Sequence, residues 1–126
     1  LGFEPGRHLR VGVIEVETVS CIMDEEIAYA LGTRIAAQDR HDGLFCYSDD
    51  IAAGCIRAIR EVGSSMRVIG FDGVRATGYL GLSTVSQEPA RIGTKAATLI
   101  VQIMEAEADP PLHIECFQPV LIDRDS

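Results

Sequence analysis

Apolar residues fall into two alternating kinds of segment, short continuous runs and stretches in which they recur every three or four positions. Arg10 to Val16 (RVGVIEV) is rich in β-branched residues and predicts a strand. Asp24 to Gln38 follows, with Ile27, Leu31 and Ile35 four apart on one helical stripe. Asp24, Glu25 and Glu26 stand where the positive end of a helix favours acids. After an Asp42-Gly43 turn, Leu44 to Tyr47 predicts a short buried strand. Ser48, Asp49 and Asp50 are cap residues for a helix over 51–62, whose inner face carries Ile51, Cys55, Ile59 and Val62 and which Gly63 ends.

Arg67 to Phe71 predicts a third strand, closed by Asp72-Gly73, and Leu82 to Val85 a fourth. Pro89 opens a helix at a position that suits proline. Its apolar residues Ile92, Ala96, Leu99, Ile100, Ile103 and Met104 form a wide stripe, and Asp109-Pro110-Pro111 stops it. His113 to Ile122 reads as a last strand interrupted at Pro119, which suggests an edge or a bulge. This alternation predicts an α/β fold, a parallel sheet flanked by helices. The length, 126 residues, suits one domain with one core.

Charge narrows the function. The net charge is −8, and the eleven basic residues lie singly, with Lys95 the only lysine. A nucleic-acid binder needs a basic face against phosphate, so this polypeptide alone is not expected to bind DNA. The cysteines Cys21, Cys46, Cys55 and Cys116 show no C-x-x-C spacing and no histidine placed to complete a metal set. Cys46 and Cys116 sit in apolar strand-like runs, as small hydrophobes do, which suits a reducing cytoplasm. No run is long and apolar enough to span a membrane. The opening Leu1-Gly2-Phe3, without Met, reads as a piece of something longer.

Ligands of open α/β sheets bind beyond the carboxyl ends of the strands. Glu15 and Glu17 end the first strand, Ser48 and Asp49 the second, and Asp72 the third. A carboxylate there accepts hydroxyl donors, and serine both donates and accepts. The same residues have ordinary uses, Asp49 or Asp50 as an N-cap and Asp72-Gly73 as a turn. Catalysis finds no support in His8, His41 or His113, nor is there a nucleophile elbow or a glycine-rich phosphate loop. No cofactor is expected.

Between residues 44 and 94 the pattern becomes specific. LFCYSDDIAAGCIRAIREVG, RVIGFDG and LSTVSQEPARIGTKAA occur in order. They resemble the LacI/GalR regulators, which carry a strand ending in A-N-D, a helix with A-x-G-x-x-R-A, then V-x-G-[FY]-D-[DN] and L-T-T-V-x-Q. The opening LGFEP and closing VLIDRDS also resemble that family.

The resemblance implies one lobe of a type I periplasmic-binding-protein fold, the C-terminal part of an effector-sensing domain. Residues 1–82 and 113–126 would form the second lobe, and 83–112 would cross to a first lobe. It implies a small-molecule effector such as a sugar, sugar phosphate or nucleobase, and operator DNA bound through an absent N-terminal head. Ser48 takes the place of the ligand-contacting Asn, Asp72 that of the ligand-binding Asp, and Gln87 ends the L-T-T-V-x-Q segment. Asp49 matches the Asp of A-N-D, read as a structural cap, and Gly73 replaces the usual second Asp or Asn. The stretch from Thr18 to Ile22 should line the cleft.

Two expectations concern the chain by itself. It should bind effector weakly or not at all, holding half a cleft. The stripe of the helix from Pro89 to Glu105 must pack on its own sheet or find another copy, giving a homodimer with segment exchange as one route. A transporter's periplasmic sugar-binding protein is the alternative within this fold. A phospho-acceptor receiver domain is the alternative outside it, and would need a lysine after a strand, whereas Lys95 lies in a helical pattern.

Overall fold

Polar caps set the bounds of the two best-packed helices. In the computed structural model, which describes residues 9–11, 14–106 and 114–126, Asp24 caps α1 (Glu25–Ala36) by accepting the N–H of Ile27 at 2.9 Å. Ser48 caps α2 (Asp49–Val62), and Gly63 ends it in the left-handed region with φ of 76°. Three strands of the main sheet are parallel: β3 (Gly43–Phe45), β4 (Arg67–Asp72) and β5 (Ser83–Ser86). A 3-10 helix over Arg75–Leu80 joins β4 to β5. The sequence pattern did not mark it, because RATGYL has no apolar period.

The fourth strand, β6 (Val120–Ile122), runs antiparallel to β5, so the sheet is mixed, with order β3-β4-β5-β6. The long final strand shrinks to these three residues after Pro119, and 114–119 is irregular. Proline lacks the N–H that a ladder needs. The tail beyond β6 is tied to the amino end of the sheet. Ser126 Oγ accepts the N–H of Ser83 at 2.6 Å and donates to the Val68 carbonyl at 2.7 Å, and Arg124 bonds the Leu82 carbonyl.

The expected first strand is instead two short ones. β1 (Leu9–Val11) and β2 (Ile14–Val16) pair antiparallel with each other, apart from the main sheet. Apolar pattern specifies extended backbone but not the pairing partner. His8, His113 and Gly12 lie outside the described residues.

The core lies between α2 and one face of the sheet, with α1 packed on α2. It centres on Ile51, Cys55, Ile56, Ile59, Val68 and Leu82. The buried stripe of α1 is Ala28, Gly32, Ile35 and Ala36, whereas Ile27 is 45% exposed. Backbone proximity turns the helix this way. A Cβ at Gly54 would fall 2.2 Å from the Glu25 carbonyl oxygen, and one at Gly32 2.9 Å from the Cys55 Cα. Two glycines therefore let the axes approach, and the small face of α1 points inward. On the opposite face of the sheet Phe45 and Leu121 stay 61% and 60% exposed. The third long helix, α3 (Pro89–Glu105), buries no residue. It is tethered to the returning segment by Lys95–Glu115 at 3.1 Å and by Arg91, whose guanidinium lies 5.3 Å from the centre of the Phe117 ring. The stripe of α3 thus does not pack on its own sheet.

Candidate functional site

Parallel register brings the carboxyl ends of β3, β4 and β5 to one rim. β4 ends at Asp72, opposite Ser86 of β5, which places Gln87 next to it. Gln87 Nε2 donates to Asp72 Oδ1 at 3.0 Å. Gln87 is exposed and Asp72 half-buried. Among the described residues neither Asp72 Oδ2 nor Gln87 Oε1 takes a bond, so each keeps an acceptor for hydroxyl or N–H donors. Two of the three site residues expected from sequence are thus brought together.

Ser48 is not with them. It is 1% exposed, and its hydroxyl accepts the N–H groups of Asp50 at 3.2 Å and Ile51 at 3.4 Å. The serine's shorter side chain turns back to its own helix, which is what an N-cap does. Glu17 does not join the rim either. It pairs with Arg40 at 2.7 Å and stands 3.7 Å from His41 Nε2, and both partners precede β3, at the amino end of the sheet. The side chain of Glu15 lies outside the described residues.

Asp49 is no cap. It is fully buried, Oδ1 accepting the Thr84 hydroxyl at 2.6 Å and Oδ2 the Val74 N–H at 2.6 Å. Thr77 Oγ1 lies 3.3 Å from Oδ2 and donates more closely, at 2.7 Å, to the Val74 carbonyl. Gly70 makes the room, since a Cβ there would sit 2.2 Å from Asp49 Oδ1. Asp49 accordingly ties α2 to β5 and to the loop after β4.

That loop is unusual in its backbone. Asp72 has φ of 121° and Gly73 φ of 76°. The first is costly for a residue with a side chain. A Cβ on Gly73 would fall 2.5 Å from Ser86 Oγ, which accounts for glycine where the resembling family has Asp or Asn.

Tyr47 was not singled out from sequence. It is 52% exposed, and its hydroxyl donates to the Cys21 carbonyl at 3.1 Å. This contact sets Cys21, in the loop before α1, beside the carboxyl end of β3. Alternation in the LFCY run, with Cys46 buried and Tyr47 out, was the available signal. Burial raises the Cys21 thiol above its usual pKa, with Cys55 and Asp24 adding to the effect. Cys46 is also raised, by its hydrogen bond with Cys55 and then by burial. Both thiols are thereby kept neutral and poorly nucleophilic. Cys116, expected in a strand, is exposed. Among the described residues no group of three potential ligands could hold a metal, and no helix is long and apolar enough to cross a membrane.

Comparison with known proteins agrees with this architecture. The periplasmic binding protein-like domain family matches residues 8–126. The HTH-type transcriptional repressor PurR of Actinobacillus pleuropneumoniae serotype 3 is 34% identical over 91 residues, covering 66% of this chain and 27% of that one. The crystal structure of a LacI-family regulatory protein from Chloroflexus aggregans superposes with a TM-score of 0.68 at 29% identity, covering 80% of this chain and 39% of that one. A LacI-family regulator from Arthrobacter sp. FB24, in complex with lactose, shares the fold with a TM-score of 0.70 at 24% identity, over 80% of this chain and 40% of its own. The chain spans about a quarter to a third of the length of the curated relatives it matches. The rim, the Asp72–Gln87 pair and these matches lead to one assignment: the chain belongs to the periplasmic binding protein-like domain family, in the form carried by the effector-sensing domains of LacI/GalR regulators.

Proposed function

We propose that the rim at Asp72 and Gln87 is one half of a binding site for a small-molecule effector, a sugar or sugar derivative, and that it acts by binding rather than catalysis. The Asp72–Gln87 contact carries the reading, since it gathers hydrogen-bonding groups at the carboxyl ends of parallel strands. Lactose held by the Arthrobacter regulator makes a sugar the first ligand class to try. In this reading residues 1–82 and 113–126 belong to the second lobe together with β5, and the rest of 83–112 leads toward a first lobe. α3, with nothing buried, is the part that leaves; β5 stays in the sheet. Effector closes two lobes on each other and alters operator binding by a segment outside this chain, in a cytoplasmic homodimer.

The test is a thermal-shift screen of the full-length protein with lactose, ribose and a nucleobase, repeated on Asp72→Ala. Losing a hydrogen bond to a charged group costs about 1.5–3 kcal/mol, so affinity should fall roughly ten- to a hundredfold. No shift with any probe, or a shift undiminished in Asp72→Ala, rejects the reading.

A further inference from the structure

Asp72 keeps a backbone conformation that its own side chain disfavours, and something must hold it there. The hydrogen bonds around the next peptide identify the holder. The Gly73 N–H donates to Thr84 Oγ1 at 3.2 Å, and the same hydroxyl donates to Asp49 Oδ1 at 2.6 Å. A hydroxyl has one proton. A carboxylate oxygen only accepts, so Asp49 fixes where the Thr84 proton goes. A lone pair of Oγ1 is left pointing at Gly73. The second oxygen of Asp49 takes the Val74 N–H. One carboxylate therefore governs two successive N–H groups after Asp72, one through Thr84 and one directly.

Burial strengthens the case. Asp49 and Thr84 are both 0% exposed, and among the described residues Asp49 has no cationic partner. An unpaired carboxylate at such a place is costly unless hydrogen bonds satisfy it. Packing alone would favour an apolar residue there. A simple cap role is excluded, since Ser48 performs it. The network lies on three elements, α2, β5 and the loop after β4, and Gly70 is the clearance in β4 that admits it.

We propose that Asp49 and Thr84 are positioning residues, a buried relay that holds the Asp72–Gly73 peptide in its left-handed conformation and so aims the Asp72 carboxylate at Gln87 and the rim. The proposal rests on the effector-site reading for its functional meaning, but its geometry can be read without any ligand.

The experiment uses the full-length protein labelled with 15N at glycine, aspartate, valine and isoleucine. Thr84→Val keeps the shape and removes the hydroxyl. Gly73 amide exchange should then quicken by about tenfold, as one hydrogen bond is lost. The Asp72 HN–Hα coupling, which reads φ, should move to the value for an ordinary negative φ. The amides of Val68 and Ile59 should keep their protection. Thr84→Ser, with the hydroxyl restored, should recover both Gly73 and Asp72 readouts, which a purely steric role for the threonine methyl would not do. Asp49→Asn, which replaces one acceptor by a donor, should quicken Gly73 exchange and shift the Asp72 coupling in the same sense, with Val74 exchange quickened as well. Should Thr84→Val fail to fold, Thr84→Ser and Asp49→Asn decide by themselves: wild-type-like Asp72 coupling in Thr84→Ser with loss in Asp49→Asn supports the relay.

Unchanged Gly73 exchange and Asp72 coupling in a folded Thr84→Val or Asp49→Asn overturns the proposal, as does failure of Thr84→Ser to restore them. Where wild type binds lactose or ribose, Thr84→Val should weaken binding in step with the Asp72 coupling. No binding by wild type, with the Gly73 and Asp72 responses as expected, counts against the sugar reading and leaves the relay supported.

Discussion

Helices α2 and α3 look alike as sequences and differ completely as structure. Each carries an apolar stripe, and each starts and stops at recognisable signals. α2 buries eight residues, among them Ile51, Cys55, Ile56 and Ile59, while α3 buries none. Ile59 is 2% exposed and Ile100 is 58% exposed. An amphipathic pattern states that a face needs covering, and says nothing of where the cover comes from. For α2 the cover is β4 and α1. For α3 it is not found among the described residues, in keeping with a chain that spans only part of its relatives' length.

The comparison can be broken most directly by cutting matched residues. Ile59→Ala should lower unfolding free energy in urea by about 2–5 kcal/mol, because a cavity is left in a closed core. Ile100→Ala should change it by no more than about 0.5 kcal/mol in this chain. Equal losses at the two sites would mean that α3 is packed after all. Next in size is the contact that seats α1 on α2. Gly54→Ala puts a methyl against the Glu25 carbonyl, and overpacking of this kind costs about 1–3 kcal/mol. A neutral result in denaturation would show that the two helices can draw apart freely. The smallest effect is at the start of α2. Ser48→Ala removes the cap and should cost about 1 kcal/mol. It should leave effector affinity unchanged, since its hydroxyl is buried under the rim. A loss of affinity without loss of stability would return Ser48 to the site.

How far the sequence could be read follows from the same contrast. Local signals were legible: Asp24 and Ser48 at helix starts, Gly63 at an end, and the strand that finishes at Asp72. Asp72 and Gln87 were legible through motif resemblance, and the structure brings them to 3.0 Å. Features decided by distant neighbours were not. Hydropathy put Ile27 on the inner stripe of α1, whereas close approach at Gly32 and Gly54 turned Ala28 inward. The run from Arg10 to Val16 carried no mark of its pairing partner, nor the last strand of its direction. Asp49 read as a cap because an aspartate at a helix start has the same local pattern whether it faces its own backbone or Thr84.

The contact between Gly32 on one helix and Cys55 and Ala58 on the other, mirrored by Gly54 against Ala28, has a consequence for how such chains diverge. A larger residue at either glycine needs a matching retreat on the facing helix before it can be tolerated. Because the nearest atoms are backbone, no exchange of side chains on the facing helix makes that room, so across descendants positions 32 and 54 should stay glycine wherever the two helices keep this spacing.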